Sequence, residues 1–233
     1  MSTFILQLDT STPVCTVALS RDGRAIGVSH THGQNVHASR LTTQIADLMG
    51  EHQLRYTDLS AIAVGKGPGS YTGLRIGVST AKGIAYAADI PLIALDSLHI
   101  LAEGFQVQEK ESPAAEILLC PMIDARRMEV YKSLYTADKI QVRPTAAEII
   151  DERFFDFLEE RQEIYLFGSG ADKFESLFQN HPQVRVVAGV QVNAATMSAL
   201  SYQAYNQQSF VDMAYFEPFY LKDFIPTSPR KLG

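Results

Sequence analysis

The chain has no tryptophan, and Cys15 and Cys120 are the only cysteines among its 233 residues. Two cysteines cannot form a disulfide framework, so we expect a reducing compartment, the cytoplasm. No mainly apolar stretch is long: residues 4–8 suffice for a strand but not for a membrane span, and no basic segment precedes them as in a signal peptide. The net charge of -6 does not support a strongly basic nucleic-acid-binding surface, although a local patch stays open.

The remaining composition is that of an ordinary globular protein, with 46% hydrophobic and 20% charged residues. A chain of this length can form one large or two small domains. The polar stretch at residues 106–115 is the best candidate linker. We therefore expect an N-terminal α/β domain at residues 1–105 and a smaller, degenerate α/β domain at residues 106–233, with the helix at 193–206 a candidate to pack back on the first domain.

Hydrophobic periodicity and turn residues predict the elements of the first half. The hairpin signal Asp22-Gly23 joins the second and third of three antiparallel strands, expected at 4–8, 15–20 and 24–30. Next come a helix at 36–51, a strand at 61–64, a helix at 73–88, a strand at 91–95 and a short helix that Asp96 or Ser97 caps. This order predicts α/β layers around a mixed sheet.

The second half resembles a degenerate copy of the same plan. Strands are expected at 116–123, 128–135, 164–167 and 184–187, and helices at 145–150, 151–160, before residue 178 and at 193–206. Residues 215–224 have strand-like aromatics interrupted by Pro218. The whole order resembles the two-domain actin-like or Hsp70-like ATPase fold (ASKHA, ribonuclease H-like) with mixed sheets, in which two duplicated domains flank a cleft.

A glycine-rich turn follows the strand at 61–64. Gly65, Gly67 and Gly69 permit backbone angles that a side chain would forbid, and Ser70 or Thr72 can cap the helix that follows. The turn does not match a Walker A loop, because no Gly-Lys-Ser/Thr closes it. The pattern indicates either a site formed by backbone groups or a tight contact surface.

Small residues recur along one face of that helix, at Gly73, Gly77, Ala81 and Ala85. Glycine inside a helix costs roughly 1 kcal/mol relative to alanine, so two glycines suggest close packing against the backbone. One interpretation is a helix lying tightly on its own sheet, and the other is a helix–helix contact with another subunit.

The end of the first strand, Asp9-Thr10-Ser11-Thr12, resembles the phosphate-binding hairpin of the actin-like fold. Hydroxyls and turn amides bind phosphate oxygens and a carboxylate can hold a metal, but the same residues can merely satisfy local amides. Gly168-Ser169-Gly170 could approach a nucleotide or be a strand-to-helix turn. The candidates for a residual nucleotide or phosphate site, which would bind ATP or ADP weakly, are Asp9, Thr10, Ser11, Gly67, Gly69, Ser70, Gly168 and Gly170.

Other chemistry finds little support. His30, His32 and His37 are close in sequence but lack a His-Glu-x-x-His motif or a cysteine pair, so we expect no metal site. Ser70 lacks the Gly-x-Ser-x-Gly elbow of a hydrolase. The charged turn at residues 124–127 could lie at the domain cleft, although a solvated turn is the simpler interpretation.

Five motifs in a fixed order resemble the TsaB (YeaZ) family over essentially the whole chain. They are LDTS at 8–11, VHASRL at 36–41, GPGSYTGLRIG at 67–77, IDARRMEVY at 123–131 and EPFYL at 217–221. The third is the most specific, and Tyr71 in it replaces a phenylalanine that is frequent in the family. The resemblance implies a role in making threonylcarbamoyladenosine, the modified adenosine beside the anticodon of tRNA.

The resemblance also implies a pseudo-enzyme with no catalytic residues, paralogous to TsaD. TsaD holds a metal through a His-x-x-x-His pair that this sequence lacks. The resemblance implies that the chain pairs with TsaD through its first-domain helices and that a small ATPase, TsaE, joins the complex. It implies that tRNA is bound only through this complex. When the chain is alone, the same surface could form a homodimer. The expected interface residues are His37, Arg40, Leu41, Ile45, Gly73, Leu74, Gly77, Ala81 and Ala85. The competing interpretations are an actin-fold ATPase or phosphotransferase and a metallopeptidase-like hydrolase.

Overall fold

The first half of the molecule is a five-stranded mixed sheet. The computed structural model describes residues 2–33, 36–107 and 116–222. The strands are β1 (Phe4–Asp9), β2 (Val14–Arg21), β3 (Arg24–His32), β4 (Ala61–Gly65) and β5 (Leu92–Leu95), in the order β3-β2-β1-β4-β5. β1, β2 and β3 are antiparallel, whereas β1, β4 and β5 run parallel. All five strands and the Asp22-Gly23 hairpin were predicted correctly.

Helices cover both faces of this sheet, which explains why β1 and β4 are buried on both sides. In the part of this half that the structure describes, the α-helices are α1 (Val36–Glu51), α2 (Tyr71–Ala88) and α3 (Ser97–Gly104). Ser70 caps α2 by accepting a hydrogen bond from the Gly73 amide, and Asp96 caps α3. On one face, Leu41 and Ile45 of α1 join Val78 and Ala81 of α2 in an apolar cluster.

The second half repeats the connectivity of the first. Its sheet contains β6 (Glu116–Asp124), β7 (Glu129–Thr136), β8 (Gln141–Ile149), β9 (Gln162–Phe167) and β10 (Val184–Val187), in the order β10-β9-β6-β7-β8. β6, β7 and β8 are antiparallel and β6, β9 and β10 are parallel, so β6 occupies the place that β1 has in the first sheet. In the described residues of this half, the α-helices are α4 (Glu175–Phe178) and α5 (Met197–Asn206). The predicted duplication is confirmed.

Three predictions for the second half are wrong. Residues 145–150, expected to be helical, lie largely in β8, because backbone pairing with β7 overrides the local helix propensity of Ala146, Ala147 and Glu148. Residues 151–160, also expected to be a helix, form successive turns around the buried Phe155, whose ring packs edge-on against Phe178 at 5.2 Å. Residues 215–222 contain no strand, and residues 223–224 lie outside the described part of the chain.

The two halves are joined by apolar packing. The ring of Phe105, just after α3, stacks on Phe167 of β9 with centroids 3.9 Å apart. Helix α5 lies against the first sheet: Ser201 Oγ is 3.0 Å from the side-chain amide of Gln7, and the Ala194 amide donates to Thr16 Oγ1 at 3.1 Å. Residues 108–115 of the proposed linker lie outside the described residues, so the domain boundary stays a prediction. Within the described residues, no helix is long and apolar enough to cross a membrane.

Candidate functional site

The loop after β1 is a closed network of hydrogen bonds. Asp9 Oδ1 accepts hydrogen bonds from the Ser11 amide at 2.9 Å and the Ser11 hydroxyl at 2.7 Å, and Oδ2 accepts one from Ser97 Oγ at 3.2 Å. Asp9 and Thr10 are fully buried and Ser11 nearly so. Burial raises the pKa of the Asp9 carboxyl above its ordinary value, and the hydrogen bonds from Ser11 and Ser97 oppose that rise. The carboxylate oxygens therefore already have partners inside the protein.

The glycine-rich turn covers this loop. The Ser70 amide donates to the Ser11 carbonyl oxygen at 2.7 Å, and Thr10 Oγ1 donates to the Gly73 carbonyl oxygen at 2.8 Å. A methyl group on Gly69 would overlap the Ser11 carbonyl oxygen, and one on Gly73 would overlap that of Thr10. Glycine is thus required here for close approach of two backbones.

The eight predicted nucleotide-site residues form two separate groups. Six of them, Asp9, Thr10, Ser11, Gly67, Gly69 and Ser70, belong to the loop and the turn just described. The other two lie after β9, where a methyl group on Gly168 would overlap the Met122 carbonyl oxygen and one on Gly170 would press on Ile123. Binding of ATP or ADP at these residues stays a prediction.

The small-residue ridge of α2 faces the interior of this chain. A methyl group on Gly77 would overlap Thr10 Oγ1, and Ala81 and Ala85 are fully buried. The tight packing of α2 on its own sheet is therefore confirmed. This packing corrects the assumption that the ridge is free for a partner: of the nine predicted interface residues, only Arg40 is exposed, and His37, Leu41, Ile45, Gly73, Leu74, Gly77, Ala81 and Ala85 are buried.

The outward faces of α1 and α2 carry small residues that the sequence reasoning missed. These exposed residues also recur every fourth position, at Ala38, Thr42, Ala46 and Gly50 on α1 and at Ser79, Gly83 and Ala87 on α2. Tyr86 stands beside them with 82% of its surface exposed. Their spacing is visible in the sequence, but only the fold shows which stripe points outward. We call these seven residues and Tyr86 the outer helix face.

A C-terminal strap, residues 211–222, runs from the first half to the second. The Val211 amide donates to the Leu92 carbonyl oxygen at 3.0 Å, and the Phe219 amide donates to that of Lys66 at 2.7 Å. Further along, the rings of Tyr220 and Tyr71 lie 4.8 Å apart and Lys222 forms an ion pair with Glu129. The strap therefore crosses the glycine-rich turn and ends at the hairpin between β6 and β7.

The tip of that hairpin is the charged turn, residues 124–127. Lys173 Nζ holds its base, at 2.6 Å from Asp124 Oδ1 and 2.8 Å from the carbonyl oxygens of Arg127 and Glu129. Arg126 and Arg127 are exposed and have φ values of 74° and 54°. The expectation of a solvated turn holds for these arginines, but Lys173 fixes the backbone beneath them.

The three histidines that we expect not to bind metal lie on β3 and at the start of α1. The rings of His30 and His32 on β3 are 5.8 Å apart and meet edge-on, while His37 is buried at the start of α1. Within the described residues, no group of three or more His, Cys, Asp or Glu side chains could hold a metal ion.

Comparison with known proteins identifies the family. A family model described as "TsaD: tRNA N6-adenosine threonylcarbamoyltransferase" matches residues 17–224. The tRNA threonylcarbamoyladenosine biosynthesis protein TsaB of Bacillus subtilis is 39% identical over 131 residues, which are 56% of this chain and 54% of the relative. TsaB of Escherichia coli is 36% identical over 135 residues, 58% of this chain and 56% of the relative. The chain thus spans little more than half the length of the curated relatives that it matches.

Solved structures agree with the fold. YeaZ from Pseudomonas aeruginosa superposes with a TM-score of 0.76 and 29% identity, over 94% of this chain and 100% of that one. The ethanolamine utilization protein EutJ from Carboxydothermus hydrogenoformans shares only the fold. It superposes with a TM-score of 0.51 and 10% identity over 84% of this chain and 89% of that one. Together with the duplicated sheets, these matches confirm the predicted fold class. Since the family model covers most of the chain, the protein belongs to the family that this model describes, and it is a member of the TsaB (YeaZ) group within it.

Proposed function

We propose that this chain is a non-catalytic subunit in the formation of threonylcarbamoyladenosine in tRNA. It binds a TsaD-like catalytic subunit and supports binding of a TsaE-like ATPase, and tRNA is bound through the complex. The names of the relatives in Bacillus subtilis and Escherichia coli support the pathway. The pairing with TsaD-like and TsaE-like partners rests on the family resemblance of the motifs.

The closed loop after β1 is the observation that carries the non-catalytic part. A phosphate-binding loop must offer free amides and hydroxyls to the ligand. Here Asp9 Oδ1 accepts both hydrogen bonds that Ser11 donates. The Ser70 amide of the glycine-rich turn donates to the Ser11 carbonyl oxygen, and the Gly73 carbonyl oxygen of α2 accepts from the Thr10 hydroxyl. A phosphate group could bind the two Ser11 donors only by displacing the Asp9 carboxylate from them. The closed loop thus argues against the alternative of an ATPase or phosphotransferase.

The outer helix face is the partner surface that we propose for the TsaD-like subunit. Small residues at four-residue spacing let two helices approach closely, which increases the packing contact between them. Tyr86 offers the large exposed aromatic side chain that often anchors an interface. The buried ridge supports α2 from inside, and the interface lies on the opposite side of the same helices. In the absence of the partner, the same face would join two copies of this chain.

A binding experiment tests this surface. Ala46 is exposed on α1, and glutamate there would place a charge and extra volume within the interface. Ala46→Glu should weaken binding of the cognate TsaD-like protein, measured by calorimetry, by at least about tenfold, because an unpaired charge would be buried in the complex. The matched control is Ala137→Glu, the same change at an exposed position beyond β7.

A transfer assay tests the function itself. Threonylcarbamoyl transfer to tRNA is reconstituted with each protein omitted in turn, and Ala46→Glu and Ala137→Glu replace the wild-type chain in parallel. We expect transfer to need this chain and to fall with Ala46→Glu only. Full transfer without this chain would contradict the proposed function, and equal binding by both variants would contradict the assigned surface alone.

A further inference from the structure

The charged turn holds two arginines in a conformation that suits glycine. Arg126 and Arg127 both have positive φ, where a Cβ atom is crowded and where glycine or asparagine is the usual residue. Strain of this kind persists only where the surroundings enforce it, and it is concentrated at functional sites. Here the three contacts of Lys173 and the Arg126 amide, which donates to Asp124 Oδ1 at 3.1 Å, enforce it.

The turn also leaves both guanidinium groups available. Within the part of the chain that the structure describes, neither has a hydrogen bond or an ion pair, whereas the neighbouring acidic groups Asp124 and Glu129 are paired with Lys173 and Lys222. The two acidic residues that flank the arginines in the chain are thus paired with lysines. The arginines form a fixed positive site on a chain whose net charge is -6.

Met128, the residue that follows Arg127 in the chain, lines an open cavity of about 530 Å³. The Met128 side chain is 46% exposed. Part of the cavity lining is apolar and comes from Met128, Ile150 and Leu177. The rest is charged, with hydrogen-bond acceptors on Asp151 and Glu152 and donors on Arg153. A cavity of this size holds a small organic ligand. The combination fits a ligand that has an anionic group beside a flat apolar group with hydrogen-bonding edges.

We propose that the Arg126–Arg127 turn and this cavity together bind one nucleotide of the tRNA, with the phosphate at the arginines and the base in the cavity. Arginine is the side chain best suited to bidentate contact with phosphate, and RNA bases held outside a helix bind to apolar surfaces and to polar groups at their edges. An acidic peptide would use the arginines but not the apolar cavity. This inference rests on the proposed function, and the contact is made within the complex.

The test uses the complex of this chain with its TsaD-like partner and unmodified tRNA, with affinity measured at several salt concentrations. The variant carries Arg126→Asn and Arg127→Gly together, two residues that tolerate positive φ, so thermal stability should be kept. Loss of the contact to this one phosphate should lower the salt dependence, the slope of log K against log salt, by about 1 and the affinity by about tenfold.

Two further variants separate charge from cavity. The control variant carries Arg24→Ala and Arg161→Ala and removes the same charge away from the turn. Arg24 begins β3 in the first sheet, and Arg161 precedes β9, at the other end of β6 from Asp124. This control should leave affinity and slope nearly unchanged. Met128→Ser removes apolar surface from the cavity and should lower affinity with an unchanged slope, because no charge is lost.

The outcomes distinguish this inference from the proposed function. If wild-type complex modifies tRNA but the double variant at Arg126 and Arg127 binds tRNA as the control does, the inference is wrong and the proposed function stands. If wild-type complex neither binds nor modifies tRNA, the proposed function fails. Calorimetry with free ATP and AMP on this chain alone completes the test: binding tighter than that of tRNA, and lost in the double variant, would overturn the assignment to RNA.

Discussion

Two glycines on one helix should respond to alanine in opposite directions. Gly77 and Gly83 both lie inside α2, so alanine at either position gains about 1 kcal/mol of helix propensity. Gly83 is exposed, and no atom of the described part of the chain lies within 4 Å of a methyl group placed there. We therefore expect Gly83→Ala to stabilise the protein by roughly 0.5–1 kcal/mol.

At Gly77 the same methyl group would overlap Thr10 Oγ1. That hydroxyl donates to the Gly73 carbonyl oxygen at 2.8 Å, so moving it would break a buried hydrogen bond, at a cost of about 1–3 kcal/mol. Overpacking adds a further cost of about 1–3 kcal/mol. After the gain in propensity is subtracted, Gly77→Ala should destabilise the protein by about 1–5 kcal/mol.

Thermal and urea denaturation of both variants measure the difference. For a chain of this size 1 kcal/mol corresponds to about 2–4 °C, so Tm should rise by about 1–4 °C for Gly83→Ala and fall by several degrees for Gly77→Ala. The unfolded-state effect of glycine to alanine is common to both and cancels in the comparison. If Gly77→Ala were as stabilising as Gly83→Ala, α2 would not pack on Thr10, and the buried ridge would again be open to a partner.

Three further predictions concern the interior. Burial raises the pKa of Asp9, so the unfolded chain loses that proton at a lower pH than the folded protein, and stability should fall as pH rises from about 4 through the raised pKa. Asp9→Asn should remove this fall when the urea midpoint is measured across the same pH range. An unchanged pH profile in the variant would refute the assignment to Asp9. Phe105→Ala should lower the free energy of unfolding by about 3–5 kcal/mol, because the Phe105 ring stacks on Phe167 across the contact between the two halves of the molecule. A loss below about 1 kcal/mol would mean that this contact does not hold the two halves together. Burial raises the pKa of Cys15 to about 11 and of Cys120 to about 12. Neither thiol should therefore react with a disulfide reagent at pH 8 until the protein is unfolded, and a rapid reaction of the native protein would contradict this burial.

Much of the fold could be predicted because its signals are local. The helix predicted at residues 36–51 has those bounds in the structure, since its apolar stripe has the helical period over its whole length. Residues 145–150 failed for the opposite reason: alanine and glutamate favour a helix locally, and pairing of β8 with β7 decides the outcome. The strap was missed because Lys222 and Glu129 are 93 residues apart, and no local pattern reports such a contact.

The candidate sites depended on which face of an element is buried. Spacing alone gives two stripes of small residues on α2, one containing Gly77 and one containing Gly83, and both satisfy the same four-residue rule. The close approach of α2 to Thr10 selects the first as the interior stripe, and Thr10 lies far from α2 in sequence. The arginine turn was visible as a motif, but its positive φ values and its cavity belong to the folded chain.

The two halves share a topology but not a chemistry. Asp9 ends β1 and Asp124 ends β6, so the two carboxylates stand at equivalent places in the duplicated sheets. Asp9 is fully buried and, among the residues that the structure describes, accepts hydrogen bonds from Ser11 and Ser97, whereas Asp124 is exposed and pairs with Lys173 beneath two arginines. Substitutions in the first loop should therefore act through stability, whereas Arg126→Asn together with Arg127→Gly in the second should change binding while stability stays constant. The same position in one fold thus stabilises a closed loop in one half and lies at the base of the proposed ligand site in the other, which is why function must be argued from side chains and not from topology.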